Sequence, residues 1–519
     1  MTDATTETQS VEETKSTETE VSEAQEPDAS PQGSATAASA ENDAKVSKLD
    51  KFFGVTKSGS KIKTEVIAGL TTFMAMVYAL LVVPGMYGDS GVPFGAVYIA
   101  TALGAVIGTT LMAFLARMPL AQASGLGATA YITGTLLGAG TGLTYANAMI
   151  FVLLDGIIFI VLTATGLRKK ILEAIPDEVK ISIPVGIGFF IAFIGFKNAG
   201  FVELHDGAIG MTSFNVLSGG LNYISVISAA LLLVGVILIA VLSAKKINGA
   251  ILWGILGTTA AYFIFAGIGC AWQDPDCVGF FQNLSVSNPF AAFKDWGENS
   301  VGRVFSNGFD FSGYLAMDKH NVGTLVVLIL TSALSLCMID MFDTLGTLYG
   351  ACSKGGLIDK DGNPLRMNQC MLSDAVATCV GSVCGATTVT TYVEASSGVA
   401  AGGKTGLTAL VSALSFLAAT FLSPIAQLIP SCATAAALVW VGVLMMSSVK
   451  NINWAEPAAA LPAFLTIAVM AFGFSISFGI GVGLISCVVI KICTGKIKQV
   501  SVATWIIAAL FIALFLLTN

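Results

Sequence analysis

Carboxylates that lie inside apolar segments are the residues of this sequence best able to do chemistry. Glu394 follows the stretch 387–393, in which six of seven residues are β-branched, and such a run favours extended backbone over helix. A short helix is then predicted to begin near Ala395. Extended backbone at membrane depth occurs only where it lines a cavity or is buried in protein. We therefore expect Glu394 to face a polar ligand; the alternative is that it caps the short helix.

A second carboxylate, Asp343, follows a long apolar run. Ionisable groups inside a membrane are costly and usually functional, so we interpret Asp343 as part of the same site. The alternative is a structural carboxylate that accepts hydrogen bonds from nearby Thr and Ser hydroxyls. Asp340 lies about one helical turn earlier and either shares the site or faces a neighbouring helix. Three further groups are expected to form structural pairs or to reach the membrane interface, namely Asp155, Lys197 and Asp374.

The stretch 122–129 occupies the matching place in the first half of the chain. Its small residues and two glycines allow close backbone approach, although tight helix packing is the alternative explanation. The predicted substrate-binding residues are Glu394, Asp343, Thr391, Tyr392, Gly125 and Thr129. Burial in a low-dielectric site favours the protonated form of a carboxyl group, so Asp343 and Glu394 are also the residues predicted to take up and release a proton.

Signatures of catalysis are missing from the sequence. It contains no P-loop, no Ser/His/Asp arrangement and no paired cysteines of the metal-binding type. We therefore expect neither an enzyme nor an ATP-driven pump, with no metal site and no cofactor. A proton is the expected coupling ion, and sodium is the alternative.

The elements that must position these residues are apolar segments long enough to cross a membrane. The 519 residues are 55% hydrophobic and 11% charged, whereas soluble chains carry about 25% charged residues. About 20 apolar residues span a bilayer. Such segments run at about 66–84, 94–116, 120–138, 146–167, 178–200, 222–244, 248–269, 322–350, 369–384, 386–402, 405–427, 431–449, 457–473, 477–494 and 499–517. Seven precede the polar stretch 270–321 and eight follow it, unless 457–494 is one broken element, which would give seven plus seven.

The distribution of basic residues predicts the orientation of these segments. Lys and Arg cluster before the first segment and after the fourth, sixth and eighth. All of these clusters fall on one side if the N-terminus is cytoplasmic, as the positive-inside rule requires. The stretch 270–321 is then an extracellular loop. Cys270 and Cys277 flank a turn-like sequence on that oxidising side, so we predict a disulfide between them, with two free thiols as the alternative.

The N-terminal region differs from the rest of the chain in composition. Residues 1–44 hold eleven acids and one lysine, while the remainder has 25 Lys and Arg against 22 Asp and Glu. The region has almost no large apolar residues, so it cannot bury enough surface to fold. We predict a disordered, acidic, cytoplasmic tail over residues 1–60.

A weak internal repeat relates the two halves. The sequence at 171–176 resembles that at 425–430, and a Lys-Asn pair follows 20 or 21 residues after each final proline; chance similarity between apolar segments is the alternative. An odd number of spans in each half inverts the topology, as in many secondary transporters, whose site lies at mid-membrane between broken helices. The predicted domains are a first repeat over 61–269 and a second repeat over 322–519.

At these residues the chain resembles the nucleobase–cation symporter family of xanthine and uracil permeases, in particular the azaguanine, hypoxanthine-guanine and adenine permease branch. The resemblance covers about residues 60–517. It is carried by IAGLTTF at 67–73, MVY at 76–78, KNAG at 197–200, FDTLGT at 342–347, TTYVEASSGV at 390–399, GGKTGLT at 402–408 and VGVLM at 441–445. In the third span the branch usually reads Pro-Gly-Met-Gly-Xaa-Asn, whereas the corresponding places here hold Gln122, Ser124, Gly125 and Gly127.

The resemblance implies an all-α polytopic membrane protein with about 14 transmembrane segments in a 7+7 inverted repeat. Spans 1–4 and 8–11 would form a core domain and the other spans a gate domain, usually in a dimer. Short strands in the broken spans 3 and 10 would lie beside the substrate. The family places substrate contacts at the carboxylates that match Asp343 and Glu394.

We therefore expect proton-coupled uptake of a purine base, of the guanine, hypoxanthine, adenine or xanthine class, across the plasma membrane. The protein would be a homodimer in the lipid membrane without a nucleic-acid partner. A same-fold carrier of uracil, or of anions such as sulfate or bicarbonate, is the main alternative, although two acids at the broken spans disfavour an anion. A membrane scaffold or receptor is the alternative from another class, and it would leave the mid-membrane acids without a task.

Overall fold

The structure of the chain is a computed structural model. It describes residues 48–138, 141–166, 175–205, 208–212, 223–272, 274–283, 288–318, 320–360, 363–473, 475–497 and 500–517. Most of the predicted tail therefore lies outside the described residues. Its predicted end at residue 60 is wrong, because Lys48–Phe53 form a helix (α1), and Phe53 and Val55 pack in a small apolar cluster with Leu407.

Apolar helices make up the first half of the chain. After α1 they are α2 (Ile62–Met76), α3 (Ala79–Met86), α4 (Phe94–Leu111), α5 (Leu126–Tyr131), α6 (Tyr145–Thr165), α7 (Asp177–Asn198), α8 (Tyr223–Ala244) and α9 (Ala250–Ala271). Single π-helical turns extend α4 through Met112–Ala116 and α5 through Ile132–Leu136.

In the described part of the connecting stretch between the halves there are four short helices, and apolar helices follow again. The short ones are α10 (Pro275–Asn283), α11 (Pro289–Asn299), α12 (Arg303–Ser306) and α13 (Ser312–Leu315). The second half contains α14 (Val322–Gly355), α15 (Met367–Cys384), α16 (Ser396–Ala400), α17 (Gly406–Ala419), α18 (Ser423–Ala426), α19 (Ser431–Met445), α20 (Pro457–Phe472), α21 (Ile476–Cys493) and α22 (Val502–Leu517).

Length and composition qualify many of these helices as membrane spans. In the described part of the chain, ten helical segments are long and apolar enough to cross a membrane. Two shorter apolar helices, Pro457–Phe472 and Val502–Ala513, accompany them. The prediction of an all-α, multi-pass membrane protein is confirmed.

Among the described residues, four short strands interrupt the helical architecture. They are β1 (Gln122–Ser124), β2 (Val202–His205), β3 (Ala208–Met211) and β4 (Val389–Thr391). β2 and β3 form a hairpin after α7. β1 and β4 pair with each other, although they belong to different halves of the chain. They occupy spans 3 and 10, where the resemblance places strands.

The helices pack in two groups, with a reciprocal arrangement that fits an inverted repeat. In the core, α2 packs on α17 and α6 on α15. In the gate, α8 and α9 lie against α19, while α20 and α21 lie against α7. α7 and α19 are the fifth membrane spans of their halves, because α2 with α3, and α17 with α18, each form one span. Each half therefore packs its last helices on the fifth span of the other. α7 and α19 cross closely at Gly188 and Gly442, where a Cβ on either residue would meet the backbone of the other.

The apolar stretch 457–494 consists of two helices, so its interpretation as one broken element is wrong. Ser475 begins α21, and its hydroxyl accepts a hydrogen bond from the amide of Phe478 (3.3 Å). α20 and α21 then pack against each other over a large area. With α17 and α18 counted as one span, the seven spans from α14 to α21 correspond to the seven of the first half, in which α2 and α3 form one span. α22 is an additional helix.

The two ends of α15 identify the two ends of the membrane domain. At its start, the loop 352–368 contacts the end of the second span, where the Nη1 group of Arg366 donates to the carbonyl of Ala116 (3.1 Å). At its end, the indole N–H of Trp296 in α11 donates to the carbonyl of Cys384 (2.8 Å). The loop 352–368 and the connecting stretch therefore lie at opposite ends, as the sequence predicts.

Candidate functional site

The two broken spans are joined by backbone hydrogen bonds. β1 and β4 are antiparallel, with Gln122 opposite Thr391 and Ser124 opposite Val389. The amide of Gly125 donates to the carbonyl of Thr388 (2.7 Å) and extends this pairing. The pairing satisfies backbone groups that a membrane could not hydrate.

Glu394 lies in the turn between β4 and the half-helix α16. The turn, Val393–Ala395, is a single 3-10 turn that continues directly into α16. The hydroxyl of Tyr78, which is fully buried between α2 and α3, donates to Oε1 of Glu394 (2.7 Å). Tyr78 thus binds one of the two carboxylate oxygens of Glu394.

Asp343 and Glu394 line one cavity between the core and the gate. The cavity has a volume of about 470 Å³. On the gate side its walls are Ile187 of α7 and Met445 of α19. A smaller adjoining pocket of about 50 Å³ reaches inward to Tyr78, Leu126, Gly127, Thr391 and Tyr392 and shares both carboxylates.

The larger cavity extends toward one end of the membrane domain. From Asp343 it continues along α14 past Gly346 and Thr347, and its far wall includes Ser447. Gly346 and Ser447 are exposed. Because α14 leads from Asp343 to the loop 352–368, the cavity opens at the end that the positive-inside rule predicts to be cytoplasmic.

Charge in the cavity is of one sign. Among the described residues, two acids and no Lys or Arg line the larger cavity and its inner pocket. Such a lining suits a ligand that offers hydrogen-bond donors rather than an anion.

Asp374 holds the scaffold together behind the cavity. Its carboxylate accepts hydrogen bonds from the hydroxyl of Thr344 (2.5 Å), from the hydroxyl of Thr391 (3.1 Å) and from the side-chain amide of Gln122. These donors come from α14, β4 and β1. Asp374 therefore forms the kind of structural pairing that the sequence predicts, and Gln122, at a place where the branch pattern departs, takes part in it.

The structure brings four of the six predicted substrate contacts to the cavity. Glu394 and Asp343 line both parts of it, and Thr391 and Tyr392 line the inner pocket. Gly125 and Thr129 do not lie on the described walls, so the structure does not bring these two predicted contacts to the cavity. The hydroxyl of Thr129 donates to the carbonyl of Gly125 (2.8 Å) and contacts the Thr387 hydroxyl (3.0 Å), so it packs the half-helix against the strand pair.

Sequence reasoning missed Tyr78 and the wall from the third span. The wall of the inner pocket uses Leu126 and Gly127 in place of Gly125 and Thr129. The available signal was that Tyr78 lies in the MVY motif at 76–78, which carried the family resemblance.

Two other carboxylates lie outside the cavity walls. Asp340 and Asp155 are fully buried, and none of their carboxylate oxygens has a hydrogen-bond partner in the described part of the chain. Asp155 therefore lacks the hydrogen-bond donors that Asp374 has, and Asp340 does not line the site. Lys197 is exposed and lines a separate cavity of about 710 Å³ near the start of α4.

The predicted disulfide is not present in the structure. Cys270 and Cys277 are both free cysteines. Cys277 is buried in α10, and its sulfur packs against Gly269 on α9. Each cysteine is fixed in its own helix, so the turn-like sequence between them does not bring the two thiols into a bond.

Comparisons with known proteins agree with this architecture over most of the chain. The model of the permease family of xanthine/uracil type matches residues 63–482. The guanine/hypoxanthine permease PbuO of Bacillus subtilis (strain 168) is 37% identical over 90% of this chain and 100% of its own length. The adenine permease AdeP of Escherichia coli (strain K12) is 35% identical over 89% of this chain and 95% of its own length.

A solved structure supports the fold. The transmembrane domain of the cyanobacterial bicarbonate transporter BicA aligns with a TM-score of 0.54 and 18% identity. The alignment covers 80% of this chain and 96% of that domain. With the family match and the two relatives, it leads to one conclusion: the chain belongs to the xanthine/uracil-type permease family and is a multi-pass membrane transporter, not an enzyme.

Proposed function

We propose that this protein is a secondary active transporter that takes up purine nucleobases together with protons. The observation that carries the proposal is the convergence of Asp343 and Glu394, from α14 and the turn before α16, on one cavity without a basic side chain in its described walls. A buried pair of carboxylates needs either a ligand with donors or a proton.

The chemistry of a purine edge matches this cavity. Its N–H groups are donors and its ring nitrogens are acceptors, while an ionised carboxylate only accepts. Glu394 keeps one oxygen for such a donor, because Tyr78 already binds the other (2.7 Å). Phe342 and Tyr392 provide aromatic surface in the walls, against which a flat base can pack.

The whole-length relatives favour a purine over a pyrimidine. Two of them carry the names guanine/hypoxanthine permease and adenine permease and are 37% and 35% identical to this chain. Uracil remains the alternative within the same family. The likeness to a bicarbonate transporter concerns the fold alone, and two acids in the cavity oppose an anionic substrate.

Coupling to protons follows from the same two residues. When a neutral base binds beside a charged, partly desolvated carboxylate, the free energy of ionising that carboxylate changes. Substrate binding and protonation of the carboxylate are therefore linked. Sodium is the alternative coupling ion. We further propose that two copies associate in the membrane.

An uptake panel tests the proposal. Cells that lack their own base carriers would express the chain and receive radiolabelled guanine, hypoxanthine, adenine, xanthine, uracil, sulfate and bicarbonate. We expect accumulation of at least one purine, its loss when a protonophore collapses the proton gradient, and persistence without sodium. Accumulation of an anion, or of no member of the panel at normal surface expression, would refute the proposal.

A further inference from the structure

A basic pocket lies at the end of the membrane domain toward which the substrate cavity opens. It has a volume of about 430 Å³, and four separate segments of the chain line it. Five basic side chains come together in its walls: Lys51, Lys57, Arg117, Arg366 and Lys404. Among the described residues, no Asp or Glu lines it. We propose that this pocket binds the phosphate headgroup of an anionic phospholipid.

The two arginines are held in place by the fold. The Nη1 group of Arg366 donates to the carbonyl of Ala116 (3.1 Å), the residue next to Arg117. The guanidinium of Arg117 lies 5.2 Å from the centre of the Phe52 ring. Both arginines have a positive φ, 53° and 54°, a backbone conformation disfavoured for L residues. Their side chains are thus positioned beside each other rather than spread over a solvated surface.

The surroundings of the pocket favour a lipid as the source of the phosphate. Leu49 and Phe52 are each 48% exposed, and Phe114 and Leu115 are 45% and 41% exposed. The rings of Phe52 and Phe114 are 5.8 Å apart. Phe114 and Leu115 belong to the end of the second span, and Leu49 and Phe52 belong to α1, whose Phe52 contacts Phe114. A basic pocket between membrane helices with an adjoining apolar surface suits a phospholipid headgroup and its chains.

Lys404 connects this pocket to the site of transport. It lies four residues after the end of α16, the half-helix that follows Glu394. Its backbone amide donates to the buried carboxylate of Glu65 (3.0 Å), which also accepts from the hydroxyls of Thr405 (2.9 Å) and Thr408 (2.6 Å). A phosphate bound at Lys404 would therefore stabilise the segment 404–408, which links α16 to α2 through Glu65.

Binding of defined lipids to the purified full-length protein tests the proposal. The wild type in detergent would be titrated with phosphatidylglycerol, with phosphatidylcholine and with inorganic phosphate, and bound lipid counted by native mass spectrometry. The variant Lys57→Gln/Arg117→Gln removes two pocket charges. The control Lys245→Gln/Lys246→Gln removes two exposed charges that lie outside the pocket. Each basic residue near an anionic headgroup contributes about fivefold in affinity.

We expect phosphatidylglycerol to bind the wild type more tightly than phosphatidylcholine, and the pocket variant to bind it about 25-fold more weakly. The control should retain wild-type affinity. Equal weakening by both double variants would mean diffuse surface charge and would overturn the site. If inorganic phosphate displaces phosphatidylglycerol at concentrations near the dissociation constant of phosphate itself, the pocket binds a soluble anion instead of a lipid. Absence of any preference for phosphatidylglycerol in the wild type would overturn the proposal without recourse to variants.

Discussion

Replacing Glu394 by Gln should weaken purine binding about ten- to a hundredfold. The Tyr78 hydroxyl donates to Oε1 of Glu394 (2.7 Å), so the amide oxygen of Gln would keep that bond. The amide NH₂ group would then face the cavity, where a donor of the base would meet another donor. Loss of a charge-assisted hydrogen bond costs about 1.5–3 kcal/mol, which corresponds to this fold-change in affinity.

Tyr78→Phe separates the role of the carboxylate from that of its partner. The substitution leaves Oε1 of Glu394 without its donor in a buried site, so we expect the free energy of purine binding to weaken by a similar amount, about 1.5–3 kcal/mol. The effect of Tyr78→Phe should be smaller in the Glu394→Gln background, because residues in one hydrogen-bonded unit are not additive.

Equilibrium binding and initial uptake rates of the transported purine would be measured in proteoliposomes. Glu456→Gln, an isosteric change at an exposed position before α20, is the matched control and should behave as wild type. Normal binding and uptake by both Glu394→Gln and Asp343→Asn, at normal expression, would refute the site assignment.

Three further predictions concern the scaffold and the orientation of the chain. Asp374→Asn should lower the melting temperature in detergent, because the new amide would face donors of three elements at a cost of about 1.5–3 kcal/mol. Asp155→Asn should leave the melting temperature unchanged or raise it, because no described donor binds that carboxylate. Equal decreases in melting temperature for the two variants would contradict the structural role of Asp374. Gly398→Ala should destabilise the protein by about 1–3 kcal/mol in the same thermal unfolding experiment, because the new Cβ would meet α2. A melting temperature equal to that of the wild type would contradict the close packing of residue 398 against α2. Single cysteines in the loop 352–368 and in the stretch 288–299 should react with an impermeant thiol reagent from the inside and the outside respectively, and labelling of both from one side would rule out this topology.

The break at span 10 could be predicted from local chemistry. The β-branched run 387–393 restricts side-chain rotamers in a helix, and the structure has the strand β4 at its centre. The family resemblance supplied the partner strand in span 3. The cavity between α14 and the turn at Glu394 could be expected because mid-membrane acids are costly unless they are used.

The break of the first span could not be predicted in this way. Met76, Val77 and Ala79 are compatible with continuous helix, and α2 and α3 are interrupted where Tyr78 turns inward to bind Glu394. This is a tertiary interaction between residues 316 positions apart. Local propensity carries no information about it.

The orientation of the third span could not be predicted from the sequence for a different reason. Residues 122–129 are mostly small, with Leu126 as their one large apolar side chain, so no apolar stripe indicates which face of α5 meets the cavity. The choice between Gly127, which lies on the wall, and Thr129, which packs against Thr387, depends on rotation of a single helical turn. The pairing of β1 with β4 and the contact of Thr129 with Thr387 fix that rotation.

The pairing of β1 with β4 also constrains how the protein is made. β1 leaves the ribosome and enters the membrane long before β4, since 268 residues separate Ser124 from Tyr392, whose hydroxyl binds its carbonyl. Unpaired backbone groups are not stable in lipid. The third segment must therefore stay in a hydrated or protein-lined environment, such as the insertion machinery, until the tenth segment has been translated. The two halves are in this sense one unit of biogenesis, and neither can complete its own part of the site before the other is inserted.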